Sequence, residues 1–249
     1  MVTFHGTPPT HLTFEPLESV GVGHAFTTRH YGNFAGRLGR PFAADGVGAG
    51  LAALGFHGPA VRYARQVHGT TCLAADGAEP GLVGEGDALW TTARDLPLAI
   101  FTADCLALVV VDPDRRALAV AHAGWRGTVA GLAGRVVEAL VREAGARADR
   151  LRVAIGPSIG PCCYEVDAPV VDPLRAAFPA HWTRWARAKG PGKWWLDLWQ
   201  ANTDQLVAAG VAPAAVANPR LCTACRSDLF FSYRREGKGR SLVTLARLE

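Results

Sequence analysis

The chain has 249 residues, of which 49% are hydrophobic and 19% are charged, and its formal net charge is +4. Its 26 Lys and Arg residues are scattered among 22 Asp and Glu residues. Nucleic-acid-binding proteins usually concentrate basic residues on one face, and no such block occurs in this sequence. No apolar run approaches the roughly 20 residues that are needed to span a bilayer. The composition therefore argues against a nucleic-acid-binding protein and against a membrane protein.

The N-terminal segment lacks the basic start and apolar core of a signal peptide, so we expect a cytoplasmic protein. Because cytoplasmic thiols stay reduced, the six cysteines indicate free thiols or metal ligands rather than a disulfide framework. No internal repeat or linker divides the sequence. We therefore expect one domain over residues 1–249, and a monomer.

The first clear elements along the chain are short strands. Residues 30–60 are rich in Gly and Ala and weakly patterned, which indicates a loop with one short helix. After them, apolar and β-branched runs predict strands at Asp87–Thr91, Leu98–Phe101, Leu106–Val111 and Ala117–Ala121. The turn residues Asp112-Pro113-Asp114 predict that the last two strands form a hairpin.

The strongest helix prediction follows this hairpin. Apolar residues recur at the spacing of a core-facing helix from Val129 to Val141, with Thr128 as the N-cap and Gly145 as the stop. Further strands are predicted at Leu151–Ile155, Leu229–Tyr233 and Ser241–Leu248, and a second helix at Leu198–Ala209. Strands and helices alternate irregularly, which predicts an α+β fold with mixed sheets packed between helices.

Three short segments place a metal-binding side chain next to glycine or at a strand end: His68, Cys105 and His122. Cys105 precedes one strand of the hairpin and His122 follows the other, so their side chains could meet. One Cys and two His suit a zinc site that keeps its fourth position open, and they also suit copper. Taken singly, each residue is more often structural than a ligand. Spacing alone leaves both interpretations open.

The remaining cysteines give a weaker signal. Cys222 and Cys225 form a C-x-x-C pattern, which is found in zinc ribbons and redox pairs. The adjacent residues Cys162 and Cys163 do not supply a second pattern of that kind, so we expect structural thiols without a catalytic role. Cys72 is predicted to be buried and inert.

Polar residues beside these segments are candidates for substrate contact or proton handling. Arg29 and Arg126 are predicted to bind an anion such as phosphate, because guanidinium groups match its oxygens. Gln66, two residues before His68, is predicted to contact the substrate. Asp104, beside Cys105, is predicted either to handle protons and orient a ligand or to serve only as a turn residue.

The sequence resembles a known family in several segments. QVHG, DALWTT, TADCLALVVVD, AVAHAGWRGTVAG, AIGPSIGPCCYEV, LDLWQAN and FFSYRREGKGR occur in the order found in the YfiH/YlmD family, also called laccase-domain or polyphenol-oxidase proteins. The resemblance extends over residues 20–249. It weakens within residues 30–60, where the family's usual glycine and asparagine segments are degraded.

This resemblance implies a compact αβ domain with a metal held by His68, Cys105 and His122. It also implies a zinc-dependent enzyme that cleaves adenosine, inosine, guanosine and methylthioadenosine with phosphate and deaminates adenosine. Purine nucleosides and phosphate are then the partners, with Cys105, His122 and Asp104 as catalytic candidates.

Two other functions use the same residues. Family members described as copper-dependent oxidases of phenols suggest a laccase-like enzyme, but multi-copper catalysis needs more histidines than the eight in this chain. A metal-free cysteine hydrolase would use Cys105 as the nucleophile and His122 as its base. Metal content and product analysis separate these functions.

Overall fold

The computed structural model describes residues 1–35 and 50–249. Its largest sheet has seven strands. In spatial order they are β1 (Val2–His5), β2 (His11–Phe14), β3 (Val22–Thr27), β16 (Leu242–Leu248), β8 (Leu98–Thr102), β4 (Arg62–Arg65) and β6 (Gly81–Glu85). Pairing is antiparallel from β1 to β8 and parallel from β8 to β6, so the sheet is mixed.

A second sheet has six strands and carries the predicted hairpin. In spatial order they are β15 (Val216–Ala217), β11 (Arg152–Ile155), β9 (Leu106–Asp112), β10 (Ala117–Ala123), β7 (Ala88–Thr91) and β5 (Cys72–Ala74). A small third sheet contains β12 (Glu165–Asp167), β14 (Lys193–Leu196) and β13 (Ala186–Gly190).

Seven α-helices lie in the described residues, most of them short. They are α1 (Glu15–Glu18), α2 (Trp125–Val129), α3 (Leu132–Glu143), α4 (Ala168–Ala177), α5 (Trp182–Trp185), α6 (Leu198–Ala208) and α7 (Tyr233–Glu236). Short 3-10 helices occur at Leu51–Leu54, Gly58–Ala60, Ala148–Arg150 and Pro213–Ala215. None of these helices is both long and apolar enough to cross a membrane, and the cytoplasmic location stays a prediction.

The hairpin of β9 and β10 is buried on both faces. Val109 and Val120 pack with residues of the seven-stranded sheet such as Phe26. On the opposite face, Leu108 and Ala121 pack with α3 and α6. Because neither face meets water, both strands read as continuous apolar runs instead of alternating ones. The α+β fold with mixed sheets and helices is confirmed.

Two local predictions are wrong. Thr128 does not cap α3: it lies inside α2, and its hydroxyl donates to the backbone oxygen of Gly124 at 3.0 Å. Gly131, with a φ of +80°, separates the two helices, and the continuous apolar stripe concealed that break. Leu229–Tyr233 is not a strand: an irregular segment buries Leu229, Phe230 and Phe231, and the exposed Tyr233 begins α7.

The helix stop at Gly145 is confirmed, with a φ of +67° directly after the C-cap Ala144. The predicted loop at residues 30–60 lies partly outside the described residues, which omit residues 36–49. Its described part contains the 3-10 helices at Leu51–Leu54 and Gly58–Ala60.

Candidate metal centre

The structure brings the three candidate ligands together. His68 lies in the loop after β4, Cys105 directly precedes β9, and His122 lies near the end of β10. The antiparallel register pairs His122 with Ala107, so Cys105 and His122 meet at the same end of the hairpin. One ligand atom from each of the three side chains lies within 4.8 Å of the other two. This arrangement can hold one metal ion.

A buried carboxylate orients two of these ligands. Oδ1 of Asp87, which has no exposed surface, accepts a hydrogen bond from Nδ1 of His122 at 2.8 Å. The same carboxylate accepts the backbone N–H groups of Val67, His68 and Gly69 at 3.1, 3.0 and 2.7 Å. With Nδ1 of His122 engaged, its Nε2 is the nitrogen left for a metal. Asp87 therefore fixes both the His122 ring and the His68 loop.

The interpretation of the sequence missed Asp87 as a site residue. Its only signal was its position in DALWTT, at the start of the predicted strand Asp87–Thr91. An aspartate at a strand end is also a common turn residue, so this position did not distinguish a ligand-orienting role.

Charges in the centre support one another. Burial alone would raise the pKa of the Cys105 thiol, but the neighbouring His122 cation and hydrogen bonds from both histidines lower it below its ordinary value. Burial alone would lower the pKa of His122, but the Cys105 thiolate and the Asp87 carboxylate raise it. The thiolate is the form of cysteine that binds metals.

The backbone around the centre leaves little space. A Cβ at Gly124 would lie 3.0 Å from Sγ of Cys105 and 3.1 Å from Cδ2 of His68. His68 itself has a φ of +61°, a left-handed conformation that non-glycine residues rarely adopt. The hydrogen bonds to Asp87 hold this loop in place, and Gly124 permits the ligands to approach.

Asp104 does not orient a ligand in the described structure. Its Oδ1 accepts the Thr223 hydroxyl at 2.6 Å, and its Oδ2 accepts the Ser232 hydroxyl at 3.0 Å and the Arg234 backbone N–H at 2.7 Å. The carboxylate that orients a ligand is that of Asp87 instead. Asp104 instead joins the segment that precedes Cys105 to two distant loops.

A cavity of about 660 Å³ opens over the centre, within the usual range for small-molecule sites. Its lining contains the three candidate ligands, and its aromatic and basic walls include Phe101, Trp125, Tyr164, Arg126, Lys193 and Arg234. Aromatic rings offer stacking surfaces and cationic side chains offer contacts for an anion.

The predicted substrate-binding residues fall into two groups. Gln66 and Arg126 line the cavity. Both ends of the Gln66 amide bind the backbone of Phe101, at 2.7 and 2.8 Å, so this side chain positions the cavity wall. Arg126 is exposed, with its guanidinium carbon 4.3 Å from the centroid of the Trp125 ring.

Arg29 is not among the residues that line this cavity. Its guanidinium forms an ion pair with Glu236 and lies over the ring of Phe231. Arg29 therefore lies outside the lining of the cavity that contains the candidate ligands, and its contact with an anion or substrate stays a prediction.

Comparisons with known proteins identify the family. A family model described as multi-copper polyphenol oxidoreductase laccase matches residues 49–247. The chain belongs to this family. The resemblance to YfiH and YlmD is also confirmed by solved structures. The family description names copper.

Curated relatives carry two activity names. A purine nucleoside phosphorylase of Deinococcus radiodurans is 36% identical, and the match covers 93% of this chain and 92% of that protein. Purine nucleoside phosphorylase YlmD of Geobacillus stearothermophilus is 43% identical over 69% of this chain, but the match covers only 62% of that relative. Adenosine deaminase RL5, from an unknown prokaryotic organism, is 40% identical over 70% of this chain and 67% of that protein.

Two solved structures share the whole architecture. YfiH of Bacillus licheniformis matches with a TM-score of 0.89 and 27% identity, over 99% of each chain. YlmD of Geobacillus stearothermophilus matches with a TM-score of 0.88 and 31% identity, over 99% of this chain and 98% of that one. The mixed sheets that position the centre are thus those of this structural group.

We predict that Asp87→Asn weakens metal binding at the centre by about 10- to 100-fold, because an amide orients His122 less well than a carboxylate. Competition between the protein and a chromophoric chelator for Zn²⁺ measures this change. Asp76→Asn is the matched control, since its carboxylate binds Thr91 and Thr92 away from the centre. Equal affinity in the wild type and Asp87→Asn would contradict the orienting role.

Proposed function

We propose that this protein is a zinc-dependent purine nucleoside phosphorylase that also deaminates adenosine. The observation that carries the proposal is the convergence of His68, Cys105 and His122 at the floor of a cavity with aromatic and basic walls. The phosphorylase and deaminase names of the curated relatives support the same pair of reactions.

The residues of the centre fit zinc. Two imidazoles and one thiolate form a three-ligand set that leaves a fourth position for water or substrate. Asp87 supplies the carboxylate partner that metal-bound histidines commonly have. When bound, zinc supplies a Lewis acid beside the substrate.

The same ligand set occurs in blue-copper sites, usually with an axial methionine. The only methionine here, Met1, is 88% exposed at the N-terminus. Among the described residues, the only histidine-containing ligand group is the one at this centre. A multi-copper oxidase needs several such groups, so the described part of the chain favours the nucleoside reactions over phenol oxidation.

Phosphorolysis requires phosphate next to the sugar of the nucleoside. A phosphate oxygen forms the new bond to the sugar carbon while the bond to the purine nitrogen breaks, and the purine leaves with the bonding electrons and takes up a proton. We assign phosphate binding to the exposed Arg126 guanidinium and to the Lys193 ammonium, because both side chains line the cavity. We assign purine stacking to the Trp125 and Tyr164 rings, which also line the cavity.

Asp104 lines the cavity but has both oxygens engaged by three donors. We assign it a positioning role: its hydrogen bonds hold the loop with Thr223 and the segment with Arg234 against the cavity. For Cys105 and His122 we propose metal binding, which in turn places the substrate. Whether the enzyme is a monomer stays a prediction.

The close approach of Cys105 and His122 also favours a second candidate, a metal-free cysteine hydrolase with Cys105 as its nucleophile and His122 as its base. The proposed zinc enzyme and the metal-free hydrolase differ in metal dependence and in their products. The phosphorylase converts adenosine and phosphate to adenine and ribose 1-phosphate, and the deaminase converts adenosine and water to inosine and ammonia. Chromatography of reactions with and without phosphate separates all these products, and adenine formed only with phosphate supports the proposal.

We predict that Cys105→Ser lowers zinc content and turnover together, because loss of the thiolate weakens the three-ligand site. Zinc is measured by mass spectrometry and products by chromatography on the same preparations. A nucleophilic Cys105 gives the opposite result: turnover disappears while zinc content stays unchanged, and the wild type keeps its activity in a chelator. That result would favour the cysteine hydrolase.

We predict that Arg126→Ala raises the KM for phosphate by roughly tenfold, the effect of losing a charged hydrogen bond of about 1.5 kcal/mol. The KM for adenosine in the deamination reaction, which uses no phosphate, should change less. Arg135→Ala is the matched control, because Arg135 is exposed on α3 and pairs with Glu138 away from the cavity. An unchanged KM for phosphate would remove Arg126 from the phosphate site.

A further inference from the structure

Four cysteines form a second cluster outside the His68 centre. The four sulfur atoms of Cys162, Cys163, Cys222 and Cys225 all lie within 4.8 Å of one another. Sγ of Cys225 is 3.5 Å from that of Cys162 and 3.4 Å from that of Cys163. None of the four forms a disulfide bond, and Cys222 is buried. The adjacent pair therefore lies beside the C-x-x-C pattern although it supplies no second pattern of that kind, and the absence of a catalytic role for these thiols stays a prediction.

Backbone pairing brings the two cysteine-bearing segments side by side. Ser158 and Cys222 form an isolated parallel bridge. The Ser158 N–H donates to the Leu221 oxygen at 3.1 Å, and the Thr223 N–H donates to the Ser158 oxygen at 3.1 Å. The C-x-x-C segment therefore runs beside the segment that leads into the adjacent cysteines.

Tight turns then aim the sulfurs at a common point. The N–H groups of Cys163 and Tyr164 both donate to the Gly160 oxygen at 3.0 Å. This turn prevents the two adjacent cysteines from alternating as they would in a strand. In the other segment, the Arg226 N–H donates to the Cys222 oxygen at 2.9 Å and closes a turn around the C-x-x-C pattern.

We propose that these four cysteines bind one zinc ion in a closed, structural site. Zinc–sulfur bonds of about 2.3 Å in a tetrahedron place the sulfurs about 3.8 Å apart, close to the spacing in this cluster. The Gly160 N–H donates to Sγ of Cys222 at 3.3 Å, an outer-shell hydrogen bond of the kind that orients metal ligands. Because all four ligands come from the protein, this site has no open position for substrate.

The position of the cluster indicates what the ion stabilises. Between the bridge and the turn, the Ile159 N–H donates to the Asp104 backbone oxygen at 2.8 Å. On the other segment, the Thr223 hydroxyl donates to the Asp104 carboxylate. Ile159 and Tyr164 also line the cavity. Zinc at the four sulfurs would therefore tie the segment with Ile159 and Tyr164, which lines the cavity, to the C-x-x-C segment, without contacting a substrate.

Zinc counting tests this site independently of the enzymatic activity. Protein is purified in reductant, loaded with Zn²⁺, desalted, and analysed for metal by mass spectrometry. The proposal predicts two zinc ions in the wild type and in the control Cys72→Ser, whose cysteine lies outside both groups. The proposal predicts that Cys105→Ser retains the ion of the four-cysteine site. It predicts that Cys225→Ser loses that ion and keeps the ion of the His68 centre. A wild type that holds only one zinc ion, together with a Cys105→Ser variant that holds less than one, would overturn the proposal.

X-ray absorption at the zinc edge tests the wild type directly, so the test holds even when Cys225→Ser does not fold. Two filled sites predict a sulfur-rich average shell, with five sulfur and two imidazole ligands for two ions. A shell with one sulfur and two imidazoles for a single ion would contradict the four-cysteine site. A freshly reduced protein whose intact mass still shows a disulfide among these cysteines would also contradict it.

Discussion

The buried carboxylate of Asp87 connects the parts of the chain that build the metal centre. It binds the His122 ring on one side and three consecutive backbone N–H groups around His68 on the other. The backbone N–H of His122 in turn donates to the backbone oxygen of Asp87 at 2.7 Å, so β10 and the Asp87 segment are joined twice. Loss of this carboxylate would leave several N–H groups without their partner, at a cost of about 1–3 kcal/mol for each that stays buried.

The rest of the fold makes this connection rigid. β9 and β10 are buried along their whole length, between the seven-stranded sheet on one face and α3 and α6 on the other. Cys105 and His122 lie at one end of this hairpin, where the strands meet the cavity. Ligands attached to packed strands keep their geometry better than ligands on mobile loops. His122 lies on β10 and Cys105 directly precedes β9, while His68 comes from a longer loop that Asp87 holds.

The sequence predicts the hairpin and the three candidate ligands because their signals are local. Apolar runs separated by turn residues define the strands, and each ligand lies inside a recognisable segment. The role of Asp87 depends on contacts with residues about 20 and 35 positions away, at His68 and His122, which no local pattern reveals. The same limit produced the Asp104 prediction: proximity to Cys105 in the chain indicated a contact with the ligands that the fold directs elsewhere.

Two further differences between the expected and the observed structure have equally specific causes. Leu229–Tyr233 resembles a strand in sequence because it is an apolar run, yet an irregular segment buries Leu229, Phe230 and Phe231 just as well. The cluster of Cys162 and Cys163 with the C-x-x-C pattern depends on a turn at Gly160 and on pairing between distant segments. Ligand spacing along the chain does not show such convergence, because adjacent cysteines diverge in a strand and meet only in a turn.

Anomalous diffraction at the zinc edge, from crystals of the active enzyme, tests the central claim most directly. The account predicts a peak bonded to Sγ of Cys105, to an imidazole nitrogen of His68 and to Nε2 of His122, at the usual zinc distances of about 2.0–2.3 Å. Nδ1 of His122 should remain hydrogen bonded to Asp87 in the same crystals. Crystals of enzyme that turns over adenosine without any metal peak at these three residues would contradict the account.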